Sequence, residues 1–224
     1  MPRTARAVEA GLIYHALNRG NGRQLLFRKD GDFAAFEKVL GEGLDRYPVD
    51  LLTYCLMGNH WHLVVRPRTD IALGRFMGWV GVTHVRRHHV HYQVDAGGHL
   101  YQGRFKTFPV EQESYLLTLC RYVEANPLRA KLVDRAESWP WSGLFHRIHG
   151  GKSFSLTEWP VDRPSNWLAL VNRELAERDT ERLRLSVNRG RPLGSDDWVD
   201  QTARRLGLQH TLRAPWRPKS IEKE

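Results

Sequence analysis

The alternation of apolar and polar positions predicts a mixed order of strands and helices. Leu12 to Asn18 is short, rich in apolar and aromatic residues, and runs into the turn-forming cluster Arg19-Gly20-Asn21-Gly22, which marks a first strand. From Asp30 to Tyr47 the apolar residues Phe33, Phe36, Val39, Leu40 and Leu44 fall at helical spacing, with Asp30 or Asp32 available to cap the helix. Asp50 to Met57 and His60 to Pro67 flank Gly58-Asn59 and read as a hairpin. Ile71 to His91 is predicted as a second helix ending before Gly97-Gly98, and Leu100 to Val110 as extended chain. Glu113 to Asn126 places Leu116, Leu119, Cys120 and Val123 on one helical face, and Pro127 is expected to force Asn126 out of helical geometry.

This order predicts an α+β protein. Its first six elements match the ferredoxin-like βαββαβ arrangement, with the additional helix packed against that sheet. Past Gly150-Gly151 the chain becomes a Trp- and Pro-containing connector followed by charged helical stretches at Ser165 to Asp179, Thr180 to Val187 and Ser195 to Leu206. A boundary near Gly150 divides a domain of residues 1–150 from a small, basic, helical extension of residues 151–224.

Charge narrows the choice of partner. The chain of 224 residues has 34 Lys and Arg against 25 Asp and Glu, a formal charge of +9, which suits a polyanion. Seven basic residues lie between Arg66 and Lys106 against Asp70 and Asp95, with His84, His88, His89, His91 and His99 among them. A solvated helix face explains such a run as readily as a phosphate track does. Cys55 and Cys120, both in apolar segments, are too few for a disulfide scaffold or a thiolate metal site and read as buried reduced thiols. The basic start, Met1 to Val8, has no apolar stretch behind it and no run reaches the length of a membrane span, so a cytoplasmic, nucleoid-associated protein is expected. Gly20-Asn21-Gly22 lacks the lysine and spacing of a phosphate-binding loop, and no organic cofactor is expected.

Two groups of residues carry candidate chemistry. On a strand His60 and His62 project to one side while Trp61, Leu63 and Val65 project to the other, so the pair can form part of a metal site that needs a third ligand. Half-exposed histidines beside a hairpin turn are an equally ordinary explanation. Tyr122 and Asn126, four apart on a helix, share a face, so a cation on the Asn126 amide oxygen would lie beside the Tyr122 phenol. A core-edge tyrosine and a helix-capping asparagine have the same spacing.

Taken together, Tyr54 to Val64 (containing Gly58-Asn59-His60-Trp61-His62), Tyr101-Gln102-Gly103-Arg104-Phe105, Arg121 to Ala130 (containing Tyr122-Val123-Glu124-Ala125-Asn126-Pro127) and Trp139-Pro140-Trp141-Ser142 resemble the successive motifs of the single-tyrosine transposases. They are most similar to the REP-associated branch of that family, over roughly Gly11 to Gly150. The resemblance implies a ferredoxin-like His-hydrophobe-His nuclease domain with His60 and His62 as metal ligands, Asn126 as third ligand and Tyr122 as nucleophile. Gly58 stands where many relatives have proline, which alters the stiffness of the turn but not the ligands.

The implied reaction is cutting and rejoining of single-stranded or hairpin DNA through a 5′-phosphotyrosyl link. A free phenol titrates near ~10, so such a nucleophile needs a cation nearby. The metal implied is Mg²⁺ or Mn²⁺, although two imidazoles and an amide also suit Zn²⁺. Arg86, Arg87, Arg104 and Lys106 are candidate phosphate contacts. Tyr101 and Phe105 are either base-stacking platforms or core aromatics. Arg189-Gly190-Arg191-Pro192 resembles the core of minor-groove AT-hooks, which makes Arg189 and Arg191 candidate DNA contacts. The same stretch is equally well explained as a basic loop before a helix capped by Ser195. A catalytically silent hairpin-binding protein is the main alternative, with a water-using hydrolase behind it. The oligomeric state, monomer or dimer, is left open.

Overall fold

The computed structural model describes residues 8–94 and 98–213; the basic start up to Ala7, Asp95, Gly97 and the last eleven residues of the expected extension lie outside them. Four strands, β1 (Ile13–Arg19), β2 (Val49–Met57), β3 (His60–Pro67) and β4 (Lys106–Val110), form one antiparallel sheet in the order β2-β3-β1-β4. With α1 (Asp30–Arg46) between β1 and β2, and α2 (Ala72–Tyr92) between β3 and β4, this is the ferredoxin-like arrangement that the pattern predicts.

The strands send alternate residues to opposite faces, except at the bulge between Leu51 and Thr53 in β2. Tyr14, Ala16, Tyr54, Leu56, Trp61, Leu63 and Val65 pack with α1 and α2 in one apolar layer. Ile13, Leu52, Cys55, Val64, Phe108 and Val110 form the other, which is covered by α3 (Ser114–Glu124) through Leu116, Leu119, Cys120 and Val123. The additional helix therefore takes the face that the βαββαβ unit leaves bare. Both cysteines are buried and unpaired.

The chain after α3 runs through α4 (Asn126–Arg129), α5 (Gly143–His149), α6 (Trp167–Val171), α7 (Glu177–Arg189) and α8 (Asp196–Arg205). It closes both edges of the sheet, where unpaired strands would invite association. At the β2 edge Leu56 N donates to Trp141 O (2.9 Å) and Trp139 Nε1 to Leu56 O (2.9 Å). Trp159 Nε1 and Arg147 Nη2 both reach Leu52 O (3.0 and 2.8 Å). At the β4 edge Leu193 pairs beside Pro109 and Glu111. Trp167, Val171, Leu183 and Leu193 join the same apolar cluster as α3, so residues beyond Gly150 share its core.

Several local expectations need correction. Lys29, not an aspartate, is the N-cap of α1; Asp32 acts from inside the first turn, its carboxylate accepting from Arg28 N (2.7 Å) and Lys29 N (3.2 Å). The extended stretch expected from Leu100 is a strand only from Lys106; Tyr101 makes a single bridge to Gly20 and the chain bends through Gln102 to Arg104. Asn126 is not driven out of helical geometry. The break comes one residue earlier, at Ala125, and Asn126 opens α4 with Pro127 in its first turn, where a missing N–H costs nothing. Ser195 precedes α8 but makes no cap; its hydroxyl donates to Glu111 Oε1 (3.2 Å).

Behind β3 a polar chain crosses the α1/α2 layer. Trp61 Nε1 donates to Tyr101 Oη (3.1 Å), which lies 2.6 Å from His84 Nδ1 on α2. Tyr101 is thus a core aromatic, 8% exposed, and its ring is not a free stacking platform. Burial lowers the His84 pKa from 6.5 to about 3, so the unfolded chain takes up a proton that the fold refuses. This stabilisation is complete above pH 6.5 and is lost as pH falls toward 3. His84→Gln is expected to shrink the difference in unfolding free energy between pH 7 and pH 5 by about 2 kcal/mol. Denaturant titrations at the two pH values measure it, and an unchanged difference would mean that His84 titrates normally in the fold.

Candidate active site

His60 and His62 sit at the start of β3 on the face covered by α3. Their rings are 5.0 Å apart and nearly perpendicular. Each has its Nδ1 engaged. His60 Nδ1 lies 2.7 Å from Asn59 Oδ1, an acceptor, so the proton resides on Nδ1 and the lone pair on Nε2. His62 Nδ1 lies 2.9 Å from Nε2 of His15 on β1, and the two rings are within 4° of coplanar. Such partners fix the rotation of a metal-binding imidazole and select the nitrogen it presents. Both rings are held neutral. Burial, aided by Arg19 and Arg129, lowers His60 to about 4, and burial with His15 and His60 carries His62 well below its usual range.

Tyr122 comes to the same place from α3. Its ring stands perpendicular to that of His62 at 6.2 Å between centroids. The guanidinium of Arg129 lies over the phenol ring, with Cζ 3.8 Å from the ring centroid, and Arg129 Nη2 donates to Asn126 Oδ1 (2.6 Å). Asn126 is buried, and its Nδ2 has no partner among the described residues. Tyr122 and Asn126 share one cleft, as their spacing predicts, but the Asn126 oxygen is committed to Arg129.

The position of α3 is set by Glu124, which is 1% exposed. Its carboxylate accepts from Thr53 Oγ1 on β2 (2.6 Å) and from Trp167 Nε1 on α6 (2.8 Å), and burial raises its pKa despite both bonds. Arg121 ties the outer side of α3 to the carbonyls of Arg173 and Glu174 (2.8 and 2.9 Å). Between these anchors Tyr122 has little freedom to leave the sheet.

The cleft has a volume of about 600 Å³ and is lined by five cationic side chains, Arg19, Arg104, Lys106, Arg129 and Arg184, with no carboxylate among its lining residues. Arg184 and Asn188 belong to α7, so the C-terminal extension forms one wall. Of the other basic candidates, Arg86 lines a neighbouring groove that shares Arg104, on the outer side of α2. Arg87 is paired with Glu42 (2.7 Å) and Arg189 donates to Thr211 O (3.1 Å). Arg191 lies between the α7 C-cap Gly190 and the Leu193 pairing on β4. Phe105 packs partly buried against the core.

Composition and spacing missed His15, Arg19, Arg129 and Arg184. His15 was hidden in an apolar strand; once β1 is paired with β3, the face it shares with Ile13 and Leu17 is the face of His62. Among the described residues no three His, Cys, Asp or Glu side chains are grouped to hold a metal. The three donors that the resemblance implies, His60, His62 and Asn126, all line the cleft, together with the amides of Asn18, Gln102 and Asn188. Nor is any helix among the described residues long and apolar enough to cross a membrane.

Comparison with known proteins agrees with this architecture. The family model described as IS200-like transposase matches residues 9–126. A solved REP-associated tyrosine transposase bound to a REP hairpin superposes with a TM-score of 0.52 at 15% identity, covering 73% of this chain and 100% of that one. A putative transposase from Deinococcus radiodurans R1 aligns at 17% identity over 58% of this chain and 92% of that one, with a TM-score of 0.38. No curated protein matches the sequence. The chain belongs to the IS200-like transposase family. Its fold is that of the REP-associated tyrosine transposase.

Replacing Glu124 by alanine leaves the Thr53 hydroxyl and the Trp167 indole N–H buried without an acceptor. A loss of about 2–4 kcal/mol in unfolding free energy is expected. Thermal or denaturant unfolding reads it, and a loss below about 0.5 kcal/mol, the usual range of surface substitutions, would remove Glu124 as the anchor of α3.

Proposed function

We propose that this transposase cuts and rejoins single-stranded DNA at hairpins, with Tyr122 as nucleophile and a divalent cation as cofactor. The observation that carries this reading is the placement of the Tyr122 ring against His62 inside a cleft whose charged side chains, among the described residues, are all cationic. The hairpin class is taken from the REP hairpin bound by the structurally similar transposase.

In this reading the Tyr122 oxygen forms a bond to phosphorus as the bond from phosphorus to the 3′ oxygen breaks. The phenol proton passes to solvent and the departing oxygen takes up a proton, leaving a 5′-phosphotyrosyl link and a 3′ hydroxyl. A 3′ hydroxyl from another strand reverses the step, because the link preserves the energy of the broken bond. Cutting and joining are then one chemistry.

Nε2 of His60 and of His62 would hold the cation, since both Nδ1 atoms are engaged elsewhere. Mg²⁺ or Mn²⁺ is proposed, and Zn²⁺ also suits the donors. When bound, such an ion polarises a phosphate oxygen and offsets developing charge. Asn126 would join the set through the second lone pair of Oδ1, the first being taken by Arg129. Arg104 and Lys106 are the proposed backbone contacts, since both line the cleft; Arg86, Arg87, Arg189 and Arg191 lie outside it and would act at its periphery. Residues 1–150 would supply the proposed chemistry, and the described part of the extension of residues 151–224 braces the sheet and walls the cleft through α7.

A labelled hairpin with randomised single-stranded flanks, incubated with the protein and Mn²⁺, tests the reaction. Wild type is expected to give a denaturation-resistant adduct. Tyr122→Phe is expected to give none, and His60→Ala or His62→Ala at least about 100-fold less. Cleavage that persists in Tyr122→Phe would identify a water-using hydrolase, and a gel shift without any adduct a silent hairpin binder. Separately, the double substitution Arg104→Ala with Lys106→Ala is expected to weaken hairpin binding and to reduce the slope of log K against log[salt] by about 1–2. An unchanged slope excludes both from the phosphate track.

A further inference from the structure

We propose that Arg129 is a catalytic residue that clamps the scissile phosphate against Tyr122, an inference that rests on the reading of Tyr122 as nucleophile. Arg66, Arg68, Arg87, Arg135, Arg147, Arg182 and Arg205 all pair with carboxylates. Arg129 has no carboxylate within ion-pair distance among the described residues. Its contacts are the Tyr122 side chain, with the ring centroid 3.8 Å from Cζ and the phenol oxygen within hydrogen-bonding reach, and Asn126 Oδ1, 2.6 Å from Nη2. A guanidinium held in place by a neutral ring and a neutral amide keeps its full charge and most of its five donors for something else. Among the described residues no carboxylate lines the cleft to balance it.

The anion with matching geometry is a phosphodiester. Two N–H groups of a guanidinium fork fit two non-bridging oxygens, and the stacking sets that fork beside the attacking phenol. Negative charge rises on those oxygens as the bond from the phenol forms and the bond to the 3′ oxygen breaks, so a fixed cation there favours the transition state over the ground state. Asn126 then has a role of its own. Its oxygen orients Arg129, while its buried Nδ2 has no partner among the described residues. This makes Asn126 a positioning residue for the arginine, which differs from the metal-ligand role that the family resemblance implies for it.

The test uses the full chain with Mn²⁺ and the hairpin with randomised flanks. Sequencing the wild-type adduct locates the reacting phosphate, and a single neutral methylphosphonate is then placed there. Arg129→Ala is expected to slow adduct formation about 100-fold or more, with hairpin affinity lowered by no more than about tenfold. Arg129→Lys is expected to recover part of the rate, as a point charge without the fork. In a Tyr122→Phe background, which keeps the ring and removes the reaction, the methylphosphonate is expected to weaken binding about tenfold when Arg129 is present and not when it is alanine. If Arg129→Ala does not fold, Arg129→Gln is put through the same measurements.

Outcomes against the proposal separate cleanly. A wild-type protein that forms no adduct sinks the nucleophile and the clamp together. An adduct formed as fast by Arg129→Ala as by wild type sinks the clamp alone. So does a methylphosphonate penalty equal with and without Arg129, since a merely structural arginine would slow the reaction but would not sense the charge of one phosphate.

Discussion

The site depends on the two-residue period of β3 held between two helical layers. Trp61, Leu63 and Val65 are buried on the α1/α2 side and Val64 on the α3 side, so His60 and His62 have no choice of face. A slip of one residue would put Trp61 and Leu63 against α3 and both imidazoles into the apolar layer. Register is fixed on both sides, by Cys55 opposite His62 on β2 and by Leu17 opposite His62 on β1. The Gly58-Asn59 turn is pinned as well, with Gly58 O accepting from Leu26 N and Phe27 N and Asn59 O accepting from Gly20 N. In this setting a stiffer proline at Gly58 is dispensable, because tertiary hydrogen bonds supply the rigidity.

Given the strand, the second requirement is a helix that cannot drift. Apolar packing by Leu116, Leu119, Cys120 and Val123 holds α3 to the sheet but tolerates sliding, since dispersion contacts have little direction. Glu124 adds direction. Its two bonds reach β2 and α6, so the residues on either side of it, Tyr122 and Asn126, keep their offset from His62. The buried carboxylate opposes stability through its desolvation, and the return is placement rather than energy. The closed edges of the sheet belong to the same logic, for the Trp139 to Ser142 motif and the segment at Leu193 prevent β2 and β4 from pairing elsewhere.

Much of this was legible in the sequence because it rests on short periods. Alternation in β3, helical spacing in α1 to α3 and the hairpin turn are local properties, and they sufficed for the order of elements and for the pairing of His60 with His62 and of Tyr122 with Asn126. What could not be read depends on contacts distant in sequence. His15 meets His62 across 47 positions, and Arg184 reaches the cleft from a helix that resembles any charged surface helix. Arg129 was visible inside the motif, yet its role turns on whether a carboxylate lies near it, and that is a property of the fold. The Asn126 conformation was misjudged because Pro127 was taken as a helix stop, whereas the break at Ala125 makes it a helix start.

Arg129 and a cation both make demands on Asn126. A carbonyl oxygen has two lone pairs, so one hydrogen bond does not by itself bar a metal. Two positive partners on one oxygen nonetheless sit within about 4 Å of each other, where a divalent ion and a guanidinium would repel by roughly 8 kcal/mol at an effective dielectric near 20. Four more cations, Arg19, Arg104, Lys106 and Arg184, raise the potential of the same cleft, and no carboxylate lining it offsets them. A cation therefore enters this cleft against the field of the protein unless a phosphate enters with it. Under the proposed reading DNA and metal would enter together, with the phosphodiester held between Arg129 and the ion on the two imidazoles and attracted by both charges, a position from which the Tyr122 phenol could reach phosphorus.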